Sequence, residues 1–200
     1  MTFVVGITGG IASGKSTVMN IIKEKGYKVI SCDDISNKVL QDKRKNVGGF
    51  SRVVEAFGEA IVVENEIDRK ALGKIVFNDF EKRKQLESIL HPLIRKRLED
   101  IIKKEKENIL FVEIPLLFET DFYQLCDKTI VVYVDLDNQA WRLMARNKIE
   151  FPEALKLIYL QMPMDQKIKR ADFVIDNTHG IYDINWQVNQ IIAALEEARK

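Results

Sequence analysis

Phe3-Val4-Val5-Gly6-Ile7-Thr8-Gly9-Gly10-Ile11-Ala12-Ser13-Gly14-Lys15-Ser16-Thr17 joins an apolar, β-branched run to a glycine-rich turn bearing a lysine and hydroxyls. Phe3–Ile7 has the length and composition of a buried strand. The residues from Gly9 onward fit G-x-x-x-x-G-K-[ST]. Glycines at 9 and 14 let the backbone turn sharply and approach a phosphate without a Cβ clash. Loop N–H groups and the start of the following helix form a positive concavity for an anion. Lys15 supplies a point charge for β- and γ-phosphate oxygens, and Ser16 supplies a hydroxyl for Mg²⁺. A chance match is expected in roughly one chain of this length in a hundred. The strand before it and the helix after it make chance rarer still. The pattern therefore points to ATP or another nucleoside triphosphate, held by Gly10, Ile11, Ala12, Ser13, Gly14, Lys15, Ser16 and Thr17.

Outward from this loop, a helix is predicted near Lys15–Lys25, with Gly26 as its stop. Tyr27–Ile30 reads as a second strand, and Ile109–Ile114, Thr129–Val134 and Phe173–Ile175 as three more. Apolar strands separated by helices predict an α/β fold with a five-stranded parallel sheet flanked by helices. Residues 35–106 break that rhythm. They read as a helical insertion, with Leu86, Ile89, Leu90, Leu93, Ile94, Leu98, Ile101 and Ile102 on one helical stripe. Pro92 predicts a kink or a fresh helix start within it. Residues from about 138 to 163 form another helical stretch, rich in basic residues at its start. The expected division is a nucleotide-binding core of residues 1–34 and 107–200 around the insertion 35–106. A last amphipathic helix carries Ile184, Val188, Ile191, Ile192 and Leu195.

Composition excludes several classes. With 31 basic and 30 acidic residues, the net charge of +1 gives no general field for nucleic acid. No apolar run approaches the roughly 20 residues of a membrane span. Cys32 and Cys126 stand far apart, suggesting neither a disulfide framework nor a zinc site. A cytoplasmic protein with no membrane partner is expected. Nothing in the residues sets an oligomeric state.

The loop alone does not fix the chemistry. The N-K-x-D motif of GTPases is absent. Ile109–Glu113, an apolar run ending in an acid, imitates the water-polarising strand of motor ATPases, so an ATP-driven switch or ATPase module stays open. The second strand leads into Ser31-Cys32-Asp33-Asp34, where carboxyl ends of parallel strands line a ligand crevice. One of these aspartates is placed to take the proton of an attacking hydroxyl, or to cap the next helix. Arg142 and Arg146, one turn apart, share a helix face; they read as a clamp on the triphosphate or as a solvated basic face.

Taken together, Gly6–Thr17, Val29–Asp33, Asp68-Arg69, Val76-Phe77, His91-Pro92-Leu93-Ile94, Pro115-Leu116-Leu117-Phe118-Glu119, Arg142-Leu143 with Arg146 and Gln161, and Arg170-Ala171-Asp172 through Asn177 resemble the dephospho-CoA kinase family across nearly the whole chain. The resemblance implies transfer of the ATP γ-phosphate to the ribose 3′-hydroxyl of dephospho-CoA, giving coenzyme A. It implies a helical substrate-binding domain and a short lid at about 138–163. Asp33 inherits the role of catalytic base, and Arg142 that of a lid residue. Arg69 and Glu119 become candidates for the substrate crevice. His91 falls in the substrate-binding part, as a contact or a structural hydrogen-bond donor. Asn177 and Gly180 lie where the family approaches adenine. A related P-loop kinase of nucleosides or nucleoside monophosphates fits the reading of the residues as well; only the family resemblance separates the two.

Departures from the family pattern are Ser31 for an aspartate, Asn37 for an arginine, the extra acid Asp34, and Ala12 for a loop glycine. The last is expected to be tolerated only at negative φ.

Overall fold

A computed structural model describes residues 2–45, 47–77 and 79–199. By packing, the chain divides into two compact units: Met1–Ser31 with Glu105–Lys200, and Cys32–Lys104.

The first unit is built on β1 (Phe3–Gly9), with α1 (Lys15–Glu24) and β2 (Lys28–Ser31) following it. In the second unit come α2 (Cys32–Gln41), α3 (Phe50–Phe57), the two-residue strands β3 (Val62–Val63) and β4 (Glu66–Ile67), α4 (Arg69–Phe77) and α5 (Phe80–Lys104). The chain returns to the first unit with β5 (Ile109–Glu113), β6 (Lys128–Tyr133), α6 (Leu136–Asn147), α7 (Phe151–Tyr159), α8 (Met164–Arg170), β7 (Phe173–Asp176) and α9 (Ile181–Ala198). Five strands form one parallel sheet in the order β2-β5-β1-β6-β7.

β1 is therefore central, which explains why its residues are apolar on both faces. Val5 and Ile7, with Ile109 and Phe111 of β5, join Val18, Ile21 and Ile22 of α1 and the stripe Ile184, Val188, Ile191, Ile192 and Leu195 of α9 in one core. On the opposite face, the segment after β5 closes down on Gly6. A Cβ there would lie 2.7 Å from Cys126 Sγ. Burial pushes the Cys126 thiol up to about 12, so it is a packing group. Tyr27 lies just outside β2. Its ring meets Phe111 edge-on at 5.6 Å, and its hydroxyl bonds Glu196.

At the other edge, Asp172 accepts from Thr129 N, Thr129 Oγ1 and Lys128 Nζ, each at 2.8 Å. Burial alone would raise its carboxyl, but these bonds outweigh it and hold the group below the usual range. Its stabilising effect is present above the ordinary aspartate pKa and is lost as pH falls through the lowered one.

The second unit buries Ile35, Val39 and Leu40 of α2 and Leu90, Ile94 and Leu98 of α5. Gln41 pairs with both backbone groups of Ile67 at 2.9 Å, tying α2 to the β3–β4 hairpin. Pro92 does not restart the helix: α5 runs unbroken through it for 25 residues. Burial of the stripe on either side, Leu90 and Ile94, outweighs the roughly 3 kcal/mol that an interior proline costs. No described helix is long and apolar enough to cross a membrane.

Phe111, on β5 beside the central strand, is fully buried. Phe111→Ala should destabilise the first unit by about 3–5 kcal/mol. Denaturant unfolding followed by circular dichroism checks it.

Candidate active site

β1 ends at Gly9 and α1 starts at Lys15, so the central strand delivers the chain directly into the glycine-rich turn. Lys15, Ser16 and Thr17 form the first turn of α1. The first N–H groups of a helix have no carbonyl a turn earlier, and the helix dipole makes that end positive. Lys15 Nζ curls over the loop, donating to Gly9 O at 3.1 Å and Gly10 O at 2.9 Å. The loop and the first turn of α1 thus bring together backbone donors, the Lys15 ammonium and the exposed Ser16, a set that fits a triphosphate.

The loop is braced from behind. Gly14 has φ 90°, in the left-handed region, and a Cβ on it would sit 2.0 Å from Asn177 Nδ2. Glycine is needed here for both reasons. Asn177 is buried just past β7; its Nδ2 donates to Ser13 O at 2.8 Å and its N–H to Tyr133 O at 2.8 Å. The resemblance placed Asn177 near adenine, and the structure gives it a direct hold on the loop. Arg142 on α6 donates to Asn177 O at 2.9 Å, putting its guanidinium beside the same corner. A Cβ on Gly14 would be 3.7 Å from Arg142 Nη1. Arg146, one turn on, is exposed and bonded to its neighbour Asn147. Spacing alone paired these arginines, but the fold brings only Arg142 to the loop.

Ala12 has φ 59°. The expectation of negative φ is wrong: this alanine stands in the left-handed region, at a cost of about 1–2 kcal/mol. On its N-terminal side, Ile11 is held at both backbone groups. Its N–H donates to Gln161 Oε1 at 2.7 Å, and its carbonyl accepts from Gln139 Nε2 at 2.7 Å. Gln139 escaped the sequence reading, and no local signal marks it, because its partner is 128 residues away.

Glu119 does not stand alone in a crevice. It accepts from Met162 N at 3.2 Å and pairs with the ammonium of Lys167 at 2.7 Å. The Lys167 side chain is wholly buried, a placement that its sequence of polar neighbours hides. Arg170 adds a bond to Phe118 O at 2.8 Å and lies over the Phe118 ring. The Pro115–Glu119 segment is thereby fastened to α8 and to the chain entering it. At the end of β5, Glu113 accepts from Ser31 Oγ at 2.8 Å, so the residue standing for an aspartate hydrogen-bonds a neighbouring strand's carboxylate.

The remaining candidates lie in the second unit. Asp33 and Asp34 are exposed in the first turn of α2, past the capping position. Arg69 opens α4 and is exposed; His91 is half-buried midway along α5. Among the described residues, no group of three or more His, Cys, Asp or Glu side chains gathers to hold a metal.

Residues 3–183 match the sequence profile of the dephospho-CoA kinase family. The chain belongs to that family. A dephospho-CoA kinase of Oceanobacillus iheyensis is 43% identical over 197 residues, covering 96% of this chain and 97% of its own. Among solved structures, one from Thermus thermophilus superposes with a TM-score of 0.83 at 33% identity, covering 96% and 97% of the two chains. The dephospho-CoA kinase of Campylobacter jejuni superposes with a TM-score of 0.73 at 35% identity over the whole of both chains. Membership makes the chain an ATP-dependent kinase with a small-molecule substrate, in accord with the five-stranded parallel sheet and the loop at its centre.

Gly14→Ala should weaken binding of a non-hydrolysable ATP analogue about tenfold or more, from left-handed strain and the collision with Asn177. Calorimetric titration checks it.

Proposed function

We propose that the chain transfers the γ-phosphate of ATP to the ribose 3′-hydroxyl of dephospho-CoA, giving coenzyme A and ADP. The observation that carries this reading is the pairing of a braced phosphate loop with near-full-length similarity to dephospho-CoA kinases. In the transfer, the hydroxyl oxygen forms a bond to the γ-phosphorus. The bond from that phosphorus to the β–γ bridging oxygen breaks, and its electron pair leaves with ADP.

The roles are assigned as follows. Gly10 through Thr17 form the loop that holds the phosphates, shaped by the N–H groups of Ile11, Ser13 and Thr17, which bond within the protein, and Lys15 neutralises charge that develops on β- and γ-oxygens. Arg142 adds a guanidinium to the triphosphate, supported by its place beside Gly14. Asp33 takes the proton of the attacking hydroxyl. Its support is its chain position, two residues past the end of β2, at the carboxyl edge of a parallel sheet. Ser16 would hold Mg²⁺ through its hydroxyl, an oxygen ligand of the kind that ion prefers. When bound, that ion shields the negative charge of the phosphates.

Residues 35–106 act as the substrate-binding insertion, with Arg69 and His91 as contacts to dephospho-CoA. Residues from about 138 to 163 act as a lid. Asn177 serves the nucleotide side by shaping the loop. Glu119 serves the substrate side from a position fixed by Lys167. The proposed location is the cytoplasm, with no nucleic-acid partner, in keeping with the balanced charge.

Product formation from MgATP tests the reading, with dephospho-CoA offered beside nucleosides and nucleoside monophosphates. Coenzyme A and ADP should appear together with dephospho-CoA alone. ADP formed with another acceptor overturns the substrate assignment, and hydrolysis without any phosphorylated acceptor favours an ATPase or switch. Asp33→Asn should lower turnover at saturating substrates by about 10²–10⁴-fold, and Lys15→Ala should impair transfer while leaving the far-ultraviolet circular dichroism unchanged. Undiminished turnover in Asp33→Asn contradicts the base assignment.

A further inference from the structure

Gln139 and Gln161 stand near the two ends of the arm formed by α6 and α7, and both reach the same residue of the phosphate loop. Gln161 Oε1 accepts from Ile11 N and Gln139 Nε2 donates to Ile11 O, both at 2.7 Å. The polarity is unambiguous, because a backbone N–H can only donate and a carbonyl can only accept. The seat of Gln139 is close-built: the residue is 4% exposed, and a Cβ on Gly10 would lie 2.4 Å from its Nε2. Nearby, a cavity of about 370 Å³ opens among Gly10, Tyr133, Leu136, Ile158, Met162 and Met164. Both glutamines line this cavity, and their hydrogen bonds to Ile11 join the arm to the loop at its edge.

Ala12 follows Ile11 directly and stands at φ 59°. That angle depends on how the Ile11–Ala12 peptide is turned, and the carbonyl of this peptide is the one Gln139 holds. A strained residue persists where its surroundings over-determine it.

We propose that Gln139 and Gln161 are positioning residues for the nucleotide: by fixing both peptide groups of Ile11 they keep Ala12 left-handed and the loop N–H groups aimed at phosphate. Neither glutamine touches the reacting atoms in this account. Nucleotide affinity then depends on the arm being seated, and a bound nucleotide strengthens the seating in return. This inference rests on the loop's being the ATP site.

Gln139→Met and Gln161→Met keep approximate size and remove the hydrogen bonds. Each is made alone and together with Ala12→Gly, since glycine reaches positive φ without strain. Binding of a non-hydrolysable ATP analogue, the KM for ATP, the KM for dephospho-CoA and the unliganded thermal midpoint are measured for all. Each methionine variant should raise the analogue Kd and the KM for ATP about tenfold, the worth of one such bond. The KM for dephospho-CoA should stay within about twofold of the parent. Adding Ala12→Gly should recover most of the lost affinity. Gln161 is only half-buried, so its variant remains a test if the Gln139 variant fails to fold. Parent-like ATP affinity in the variants overturns the proposal. So does an equal loss in both KM values and the thermal midpoint that Ala12→Gly leaves untouched, which marks a merely structural role. A parent protein that does not bind the analogue overturns the nucleotide reading beneath it.

Discussion

The backbone of residues 11–14 holds a shape that its own hydrogen bond, Ser13 N–H to Gly10 O at 3.2 Å, fixes only in part. A loop that is to offer N–H groups to an anion can spend few of them on itself, so much of its form is imposed from outside. Here the outside groups are side chains from distant segments. Asn177 takes the Ser13 carbonyl, Gln139 takes the Ile11 carbonyl, and Gln161 takes the Ile11 N–H. The sheet makes these convergences possible, since β1 lies between β5 and β6, with β7 next beyond β6. The strand ends that carry the bracing segments therefore surround the loop.

Those braces come at a local cost that the fold absorbs. Gly14 and Ala12 both stand at positive φ, and only the first is a glycine. An alanine there indicates that packing around the loop, rather than intrinsic preference, sets its geometry. The same logic governs Pro92, where burial on either side carries α5 through a residue that disfavours it. Charged groups follow a related rule. The ammonium of Lys167 is wholly buried, and Glu119 beside it supplies the opposite charge that burial demands.

Much of this was legible in the residues. Apolar β-branched runs announced the strands, and the glycine spacing announced the loop, because both depend on neighbours in sequence. Strand ends shifted by one or two residues; Tyr27, read as strand, lies one place before β2 and packs on Phe111 by its ring edge. The β3–β4 hairpin went unread, for two-residue strands carry no period. At the site, Arg142 and Arg146 looked equivalent by spacing, yet only one meets the loop. Gln139 and Lys167 were invisible for a common reason: a polar residue's burial depends on partners far along the chain. The sign of φ at Ala12 was likewise beyond sequence: it accompanies the turn that Ser13 N–H closes on Gly10 O and the distant side chains bonded to Ile11.

Phosphorus magnetic resonance of the product formed from dephospho-CoA and MgATP tests the central claim most directly. The account predicts a new phosphomonoester signal coupled to the ribose 3′ proton, with the diphosphate bridge of the acceptor unchanged. A monoester on any other hydroxyl, or inorganic phosphate and ADP with no new monoester, would contradict it.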